Sequence, residues 1–402
     1  MVLAMPAITR LYSPAEMGVL AIYMSLLTML LSFASLRYEM AIPLPKDDRT
    51  ASDVLALCFA ILVVICAVLF IPTFLFADGI ASRFDAAPLR PYLWLLPVGL
   101  LGAGSYQILS YWAVRERAFT VIARTKLSQS VAQVGTQLGL GFLGAGPIGL
   151  LLGDIAGRAG GSGTLASQLL VRDRAASRAV TVAGMRWAAH RYRQFPLVSS
   201  GSSLLNTAGL QLPALMLAAL YGPAVAGLFA LAQQVIGIPI RLIGQSIAQV
   251  YLGEASRLVR DDPASVRPLF ARATRRLLCF GVPPVIAAAL LGPWLADRLF
   301  GVEWAASGTF VLLLVPMFAA QLVVNPLSQT AILMERQGWQ LVADLVRTIA
   351  VVGSLWLPYR AGWSSSGAIA AYSACMAVTY IGYYILYALI LRAGPSGRGD
   401  HV

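Results

Sequence analysis

The sequence predicts an all-α, polytopic membrane protein made of two pseudo-symmetric bundles of six helices. Three observations lead to this prediction: the composition, a series of long apolar segments, and an internal repeat. Of the 402 residues, 58% are hydrophobic and 12% are charged, and the mean hydropathy is +0.74. Soluble domains rarely combine these values, so the composition excludes a soluble-domain function.

Long apolar segments follow one another along the whole chain. A helix needs about 20 mostly apolar residues to cross a bilayer, and no segment shows the alternation that is typical of barrel strands. The predicted spans are 17–36, 52–77, 91–113, 127–144, 146–170, 196–220, 224–252, 277–294, 306–333, 341–359 and 366–391.

A turn sequence in the first half of the chain returns in the second half. Residues 11–21 match residues 220–230, with Leu, Tyr, Pro, Ala, Gly and a final Ala in register. A second match, at a slightly longer offset, joins residues 95–97 to residues 314–316. In a membrane chain, such symmetry is typical of an alternating-access transporter whose site lies between the halves.

The repeat also predicts the domain boundaries. In the second half a complete helix, 196–220, precedes the repeated turn, whereas only Met1 to Arg10 precede it in the first half. Either the first helix is stunted or the recorded start lies inside a longer reading frame. We favour the second, which gives twelve helices in the whole protein and about eleven complete ones here. The predicted parts are an N-terminal bundle at 1–170, a basic cytoplasmic linker at 171–194, a C-terminal bundle at 195–392 and a cytoplasmic tail at 393–402.

The net charge of +12 indicates membrane topology, and nucleic acid is not an expected partner. Alternate connections carry 23 of the 30 basic residues, which orients a membrane protein with those connections in the cytoplasm. The C-terminus is therefore predicted to be cytoplasmic. These basic residues lie within 37–49, 115–126, 172–193 and 257–276, and at Arg336, Arg347, Arg392 and Arg398.

Cysteine and histidine are too scarce and too scattered for a metal or catalytic centre. The four cysteines lie in apolar segments without metal-ligand spacing, and the two histidines lie in a basic loop and in the tail. We predict no metal, no cofactor and no catalytic residue. The protein is accordingly expected not to be an enzyme.

Polar side chains at helical spacing predict a substrate cavity. They follow single faces of otherwise apolar helices, where hydroxyls and amides could bind a sugar headgroup. The alternative is that such residues only hold helices together. The candidates are Gln234, Gln245, Gln249, Ser25, Thr28, Ser32, Asn206, Gln211 and Gln133.

Ionisable residues within spans are stronger candidates, because charges at the centre of a bilayer are costly. Arg241 lies near the middle of its helix, and its guanidinium matches phosphate oxygens. Asp154 and Arg158 are spaced i,i+4, which suits a mutual ion pair. Glu39, next but one to Arg37, is a candidate for ion coupling or for a local salt bridge.

Three stretches of the sequence resemble a known family. Residues 8–14 with Gly18, residues 35–45, and residues 221–232 look like polysaccharide flippases of the O-antigen (Wzx-like) type. That family belongs to the multidrug/oligosaccharidyl-lipid/polysaccharide (MOP) exporter superfamily. The resemblance extends over about residues 8–392, with two departures: the short first helix, and Arg158 in a glycine-rich helix.

The resemblance implies two six-helix bundles around a central cavity in the bacterial inner membrane. It further implies transfer of an undecaprenyl-pyrophosphate-linked sugar repeat unit to the periplasmic leaflet, with cationic cavity residues contacting the pyrophosphate. The implied partners are this lipid-linked oligosaccharide, the membrane lipids, and polysaccharide polymerase and assembly proteins.

Two other functions remain open at this stage. A drug/cation antiporter of the same superfamily would be expected to have acidic, aromatic-lined sites. A membrane polysaccharide polymerase or ligase would be expected to carry a long outward loop with catalytic groups, whereas the outward loops predicted here are short.

Overall fold

A computed structural model describes residues 4–75, 87–170, 180–262, 265–334 and 336–393. Within these ranges a few helix side chains, including that of Arg241, lie outside the described part. The described residues are overwhelmingly helical and contain no strand. The predicted all-α membrane fold is thereby confirmed.

The α-helices follow in chain order. They are α1 Met5–Leu11, α2 Pro14–Leu31, α3 Asp48–Leu75, α4 Leu95–Arg115, α5 Phe119–Phe142, α6 Pro147–Ala159, α7 Ser162–Leu170, α8 Val182–Arg191, α9 Ser200–Tyr221, α10 Pro223–Asp261, α11 Val266–Arg276, α12 Val282–Leu295, α13 Ala305–Leu327, α14 Gln329–Leu333, α15 Gln337–Arg360 and α16 Ser365–Ala393.

Seven segments of the described chain are helical, long and apolar enough to cross a membrane: Pro14–Leu31, Asp48–Leu75, Phe195–Tyr221, Val266–Trp294, Val302–Ala331, Val342–Arg360 and Ser365–Arg392. Four of the eleven predicted spans do not reach this standard. They correspond to α4, to α5, to the predicted span 146–170, which is broken between α6 and α7, and to 224–252 in α10, where the apolar stretch Pro223–Gly237 is shorter than a span. Polar residues of α4, α5 and α6 line a cavity that is described below.

One predicted span ends earlier than the sequence suggested. Helix α2 stops at Leu31, and the chain continues through turns to a short 3-10 helix at Tyr38–Ala41. Leu36 and Arg37 adopt left-handed backbone angles, with φ of 50° and 64°, which a continuous helix to residue 36 would not contain.

The chain forms two compact units, Met1–Gly227 and Leu228–Val402, so their boundary falls after the first turn of α10. In the first unit, α9 packs along α2, and α5 packs along α6. The predicted linker at 171–194 lies partly outside the described residues, and the division of the chain there stays a prediction. Its described part contains α8, which packs on α3: the Asp53 carboxylate accepts a bond of 3.0 Å from the Thr181 backbone N–H.

The repeated turn packs against its own copy within the first unit. A Cβ on Gly18 would lie 1.8 Å from the Pro223 carbonyl oxygen, and a Cβ on Gly227 would lie 2.0 Å from the Pro14 carbonyl oxygen. Pro14 and Gly18 correspond to Pro223 and Gly227 in the repeat. The contact is therefore reciprocal, as in a symmetric dimer interface, and both positions need glycine for two backbones to approach so closely.

In the second unit, α13 packs against α12, and α16 packs against both α13 and α15. Trp304, Phe310 and Leu314 are buried here. One prediction needs correction: Arg347, expected in a cytoplasmic connection, lies within α15 and is 6% exposed. Asp344 lies one turn earlier, and its Oδ1 is 3.4 Å from Arg347 Nη2, so the arginine forms a salt bridge inside the unit.

Candidate functional site

A cavity of about 530 Å³ opens within the N-terminal unit, between α2, α4, α5 and α6. Three of these four wall helices fall short of the apolar character expected of a membrane span. Their polar residues line the cavity, which explains their composition. The lining residues are Met24, Leu31, Ala103, Tyr106, Gln107, Ser110, Tyr111, Lys126, Gln129, Ser130, Gln133, Asp154, Gly157 and Arg158.

Close packing of α5 and α6 forms one side of this cavity. The chain reverses between them at Gly144 and Gly146, both with φ above 60°. A Cβ on Gly153 would lie 2.3 Å from Cγ of Gln137, and one on Gly157 would lie 2.7 Å from Cβ of Gln133. The small residues on α6 thus let the glutamines of α5 reach its backbone.

An ion pair crosses one turn of α6 at the cavity wall. Arg158 Nε donates to Asp154 Oδ2 at 2.8 Å, and Asp154 is only 2% exposed. The amide of Gln129 donates to the Arg158 carbonyl oxygen at 3.1 Å. Since a buried carboxylate needs a partner, Arg158 compensates the charge of Asp154.

A second cation faces the cavity from α5. The Lys126 ammonium lies 4.7 Å from the centre of the Tyr106 ring, close enough for a cation–π interaction. The hydroxyls of Tyr106 and Thr125 are 3.0 Å apart and share a hydrogen bond. Because the charges of Arg158 and Asp154 cancel, the Lys126 ammonium gives the cavity lining a net charge of +1.

A buried carboxylate lies behind the α4 wall. Glu39 is 1% exposed, and its carboxylate accepts hydrogen bonds from the Ser35 hydroxyl and, at 2.9 Å, from the Gln107 amide. Arg37 Nη1 lies 3.8 Å from Glu39 Oε1, which forms the local salt bridge that the sequence analysis considered. Gln107 also lines the cavity, so it connects Glu39 to the cavity surface.

The lining can act chemically as a receptor for an uncharged or anionic polar group. Glutamine amides and hydroxyls can each donate and accept hydrogen bonds, and the Lys126 ammonium favours an anion. The described residues contain no group of three His, Cys, Asp or Glu side chains that could hold a metal ion.

The sequence profile of a family described as "polysaccharide biosynthesis protein" matches residues 7–308, three quarters of the chain. The chain belongs to this family. No curated protein sequence matches it.

Solved structures show which fold this polysaccharide biosynthesis protein has. It superposes on an inward-facing multidrug resistance MATE family transporter of the MOP superfamily with a TM-score of 0.70, at 15% identity, over 97% of this chain and 94% of the other. For a mutant of the Vibrio cholerae MATE transporter VcmN the TM-score is 0.61, at 13% identity, over 97% and 92%. For a MOP superfamily transporter from Pyrococcus furiosus it is 0.55, at 15% identity, over 96% and 88%. At these identities the likeness shows the fold, which is that of MOP superfamily transporters and agrees with the predicted family.

Of the predicted site residues, Gln133, Asp154 and Arg158 are brought together in the cavity of this family member. The predicted stripe on α2 is not part of its wall, because that helix presents Met24 and Leu31 instead. Ser25 and Ser32 are buried, the Ser32 hydroxyl donates to the Met29 carbonyl oxygen at 2.7 Å, and Thr28 is half-buried.

The remaining candidates lie on α9 and α10. Asn206 is exposed and Gln211 half-buried on α9. On α10, Gln234 is half-buried and both Gln245 and Gln249 are exposed. Arg241 occupies a helical position in α10, but its side chain lies outside the described part. Their role in a cavity between the halves stays a prediction.

The sequence did carry a signal for the residues that were missed. One side of α4 carries two adjacent polar pairs that lie four residues apart, Tyr106 with Gln107 and Ser110 with Tyr111. Lys126 begins the glutamine series of α5. Polar groups at helical spacing in α4 could therefore have identified this wall of the cavity, as they did in α5.

Proposed function

We propose that the protein is a flippase that moves an undecaprenyl-pyrophosphate-linked oligosaccharide, a polysaccharide repeat unit, across the bacterial inner membrane by alternating access. The observation that carries this proposal is the amide-rich, net cationic cavity among the helices of a polysaccharide biosynthesis family member. The C-terminus is proposed to be cytoplasmic, in agreement with the distribution of basic residues. The proposed partners are the lipid-linked substrate, membrane lipids, and polysaccharide polymerase and assembly proteins.

The cavity provides the chemistry that such a headgroup needs. Amides of Gln107, Gln129 and Gln133, together with Ser110 and Ser130, can exchange hydrogen bonds with sugar hydroxyls. Lys126 supplies a positive charge for a phosphate. Its ammonium lies over the Tyr106 ring and forms no salt bridge with the residues that the structure describes, so an anion can bind without breaking an ion pair there.

The test is complementation of a bacterial host that lacks its own repeat-unit flippase. Surface polysaccharide and lipid-linked precursor would be measured together, with wild type and Lys126→Met at matched expression. We expect wild type to restore polymer and clear the precursor, and Lys126→Met to do so at least tenfold less efficiently.

Arg124→Gln is the matched control, because this exposed cation lies two residues away on the same helix and outside the cavity. It should complement like wild type. Full activity of Lys126→Met would refute the role of the cavity cation. If well-expressed wild type leaves the precursor to accumulate in hosts that make several different repeat units, the flippase proposal is refuted.

A cationic-drug antiporter is the second candidate, since the fold is shared with multidrug transporters. Asp154 is the carboxylate that lines the cavity, and Arg158 already neutralises it. Uptake of a cationic dye into vesicles against its gradient would favour the antiporter over the flippase.

A further inference from the structure

A second pocket lies in the C-terminal unit and is lined by residues of α10 and α11. Its volume is about 290 Å³. Val250 and Leu269 contribute apolar surface, Tyr251 and Glu254 polar surface, and Arg272 and Arg276 positive charge. None of these residues belongs to the cavity described above.

The walls of this pocket are fixed by packing. Helix α11 is strongly amphipathic, and Leu269 and Phe270 on its inner face are buried. The Phe270 ring packs on Tyr384 at a centroid distance of 5.2 Å. On the α10 side, Tyr251 is 2% exposed, and its hydroxyl shares a bond of 2.8 Å with Thr330. The pocket is thus formed by two anchored helices and not by a loop.

Its charges favour an anion. Arg272 and Arg276 lie one turn apart on α11, both exposed, and neither forms a salt bridge within the part of the chain that the structure describes. Glu254 is the one acidic group in the lining, which leaves the pocket with a net charge of +1. Two guanidinium groups in this arrangement can each offer a fork of donors to phosphate oxygens.

The position of the pocket indicates where that phosphate would come from. Helix α11 continues through Leu277–Gly281 into α12, and together they form the candidate membrane span Val266–Trp294. Directly after Arg276, Leu278 and Phe280 are 51% and 76% exposed, and Val250 at the pocket itself is 65% exposed. Basic residues and exposed apolar residues therefore meet at this pocket, an arrangement typical of a helix at the headgroup level of a bilayer.

We propose that this pocket binds the phosphate group of a membrane lipid, with Arg272 and Arg276 holding the phosphate and Val250 and Leu269 contacting the start of the lipid chain. The lipid phosphate could be that of an anionic phospholipid or of a polyprenyl carrier. The two proposals can fail separately, because the flippase is tested by complementation with a variant at Lys126 and this pocket is tested by lipid binding.

The experiment measures binding to the purified full chain in a zwitterionic detergent. Three probes are compared: a short-chain phosphatidylglycerol, a short-chain polyprenyl pyrophosphate, and inorganic phosphate alone. We expect at least one lipid probe to bind with saturation, and inorganic phosphate at least tenfold more weakly. Which lipid probe binds more tightly identifies the source of the phosphate.

Two double variants of equal charge provide the decisive comparison. Arg272→Gln/Arg276→Gln should weaken lipid binding at least tenfold, because both phosphate contacts are lost. Arg267→Gln/Arg275→Gln removes two exposed arginines of the same helix that do not line the pocket, and should bind like wild type. Equal loss in both variants would show general surface attraction and overturn the proposal. So would wild-type affinity in the first variant, or equal binding of inorganic phosphate. An unchanged thermal midpoint would verify that each variant is folded.

Discussion

Replacing Gly18 or Gly227 by alanine places a methyl group against a backbone carbonyl. At Gly18 the new Cβ would lie 1.8 Å from the Pro223 oxygen and 2.5 Å from its carbonyl carbon, whereas ordinary contact begins at 3.4 Å. The starts of α2 and α10 would have to separate by about 1.6 Å, the difference between these distances, since neither a methyl group nor a carbonyl can rotate away. Overpacking of this kind costs about 1–3 kcal/mol.

Helix propensity opposes this cost, because alanine is favoured over glycine within a helix by up to about 1 kcal/mol. We therefore expect each single variant to lose about 1–2 kcal/mol of stability. The double variant should lose less than the sum, because one separation of the helices accommodates both methyl groups.

Thermal midpoints of the purified protein in detergent would measure these losses. Gly135→Ala and Gly253→Ala are the matched controls, because both positions are helical and no atom lies within 4 Å of the added Cβ. The controls should be as stable as wild type or slightly more stable. If Gly18→Ala behaves like Gly135→Ala, or if the two losses add fully, the reciprocal contact does not hold these helices together.

Three further predictions concern the polar groups of the first unit. Asp154→Asn and Arg158→Gln should each reduce the folded yield more than the double variant does. Each single change leaves one charge without its partner, at a cost of about 3–5 kcal/mol. Equal yields for all three variants would contradict the pairing. Glu39→Ala should lower the thermal midpoint more than Glu39→Gln, since alanine leaves Ser35 and Gln107 without their acceptor; the reverse order would count against that network. Asp53→Ala should increase protease cleavage within residues 180–194 by releasing Thr181, whereas Asp47→Ala, an exposed acid bonded to Thr50, should not.

The sequence was sufficient for the membrane class, the family and the repeated turn. Composition and the length of apolar segments report directly on the solvent that a helix faces, and the repeated turn directly precedes both α2 and α10. The spacing of Asp154 and Arg158 likewise implied the ion pair that the structure shows.

Other features could not be predicted because they depend on neighbouring helices. Periodicity places Ser25, Thr28 and Ser32 on one face of α2, but packing decides which face turns to the cavity of the first unit, and it is the face with Met24 and Leu31. A role of the three hydroxyls in a cavity between the halves stays a prediction. Arg347 was expected in a connection because basic residues favour the cytoplasm. Its i,i+3 spacing from Asp344 was the sign that both charges could instead be buried within one helix.

The polar walls of the cavity also affect how the chain enters the membrane. Helix α3 is apolar enough to leave the translocon for lipid on its own, whereas α4, α5 and α6 are not among the candidate spans. Helix α4 packs on α3, and α5 packs on α6 through Gly153 and Gly157. Because translation delivers α3 first, it can receive α4, but α5 must wait for α6 before its glutamines are shielded. We therefore expect these helices to partition into the bilayer as a group, so a nascent chain that ends before α6 would leave α5 outside the lipid.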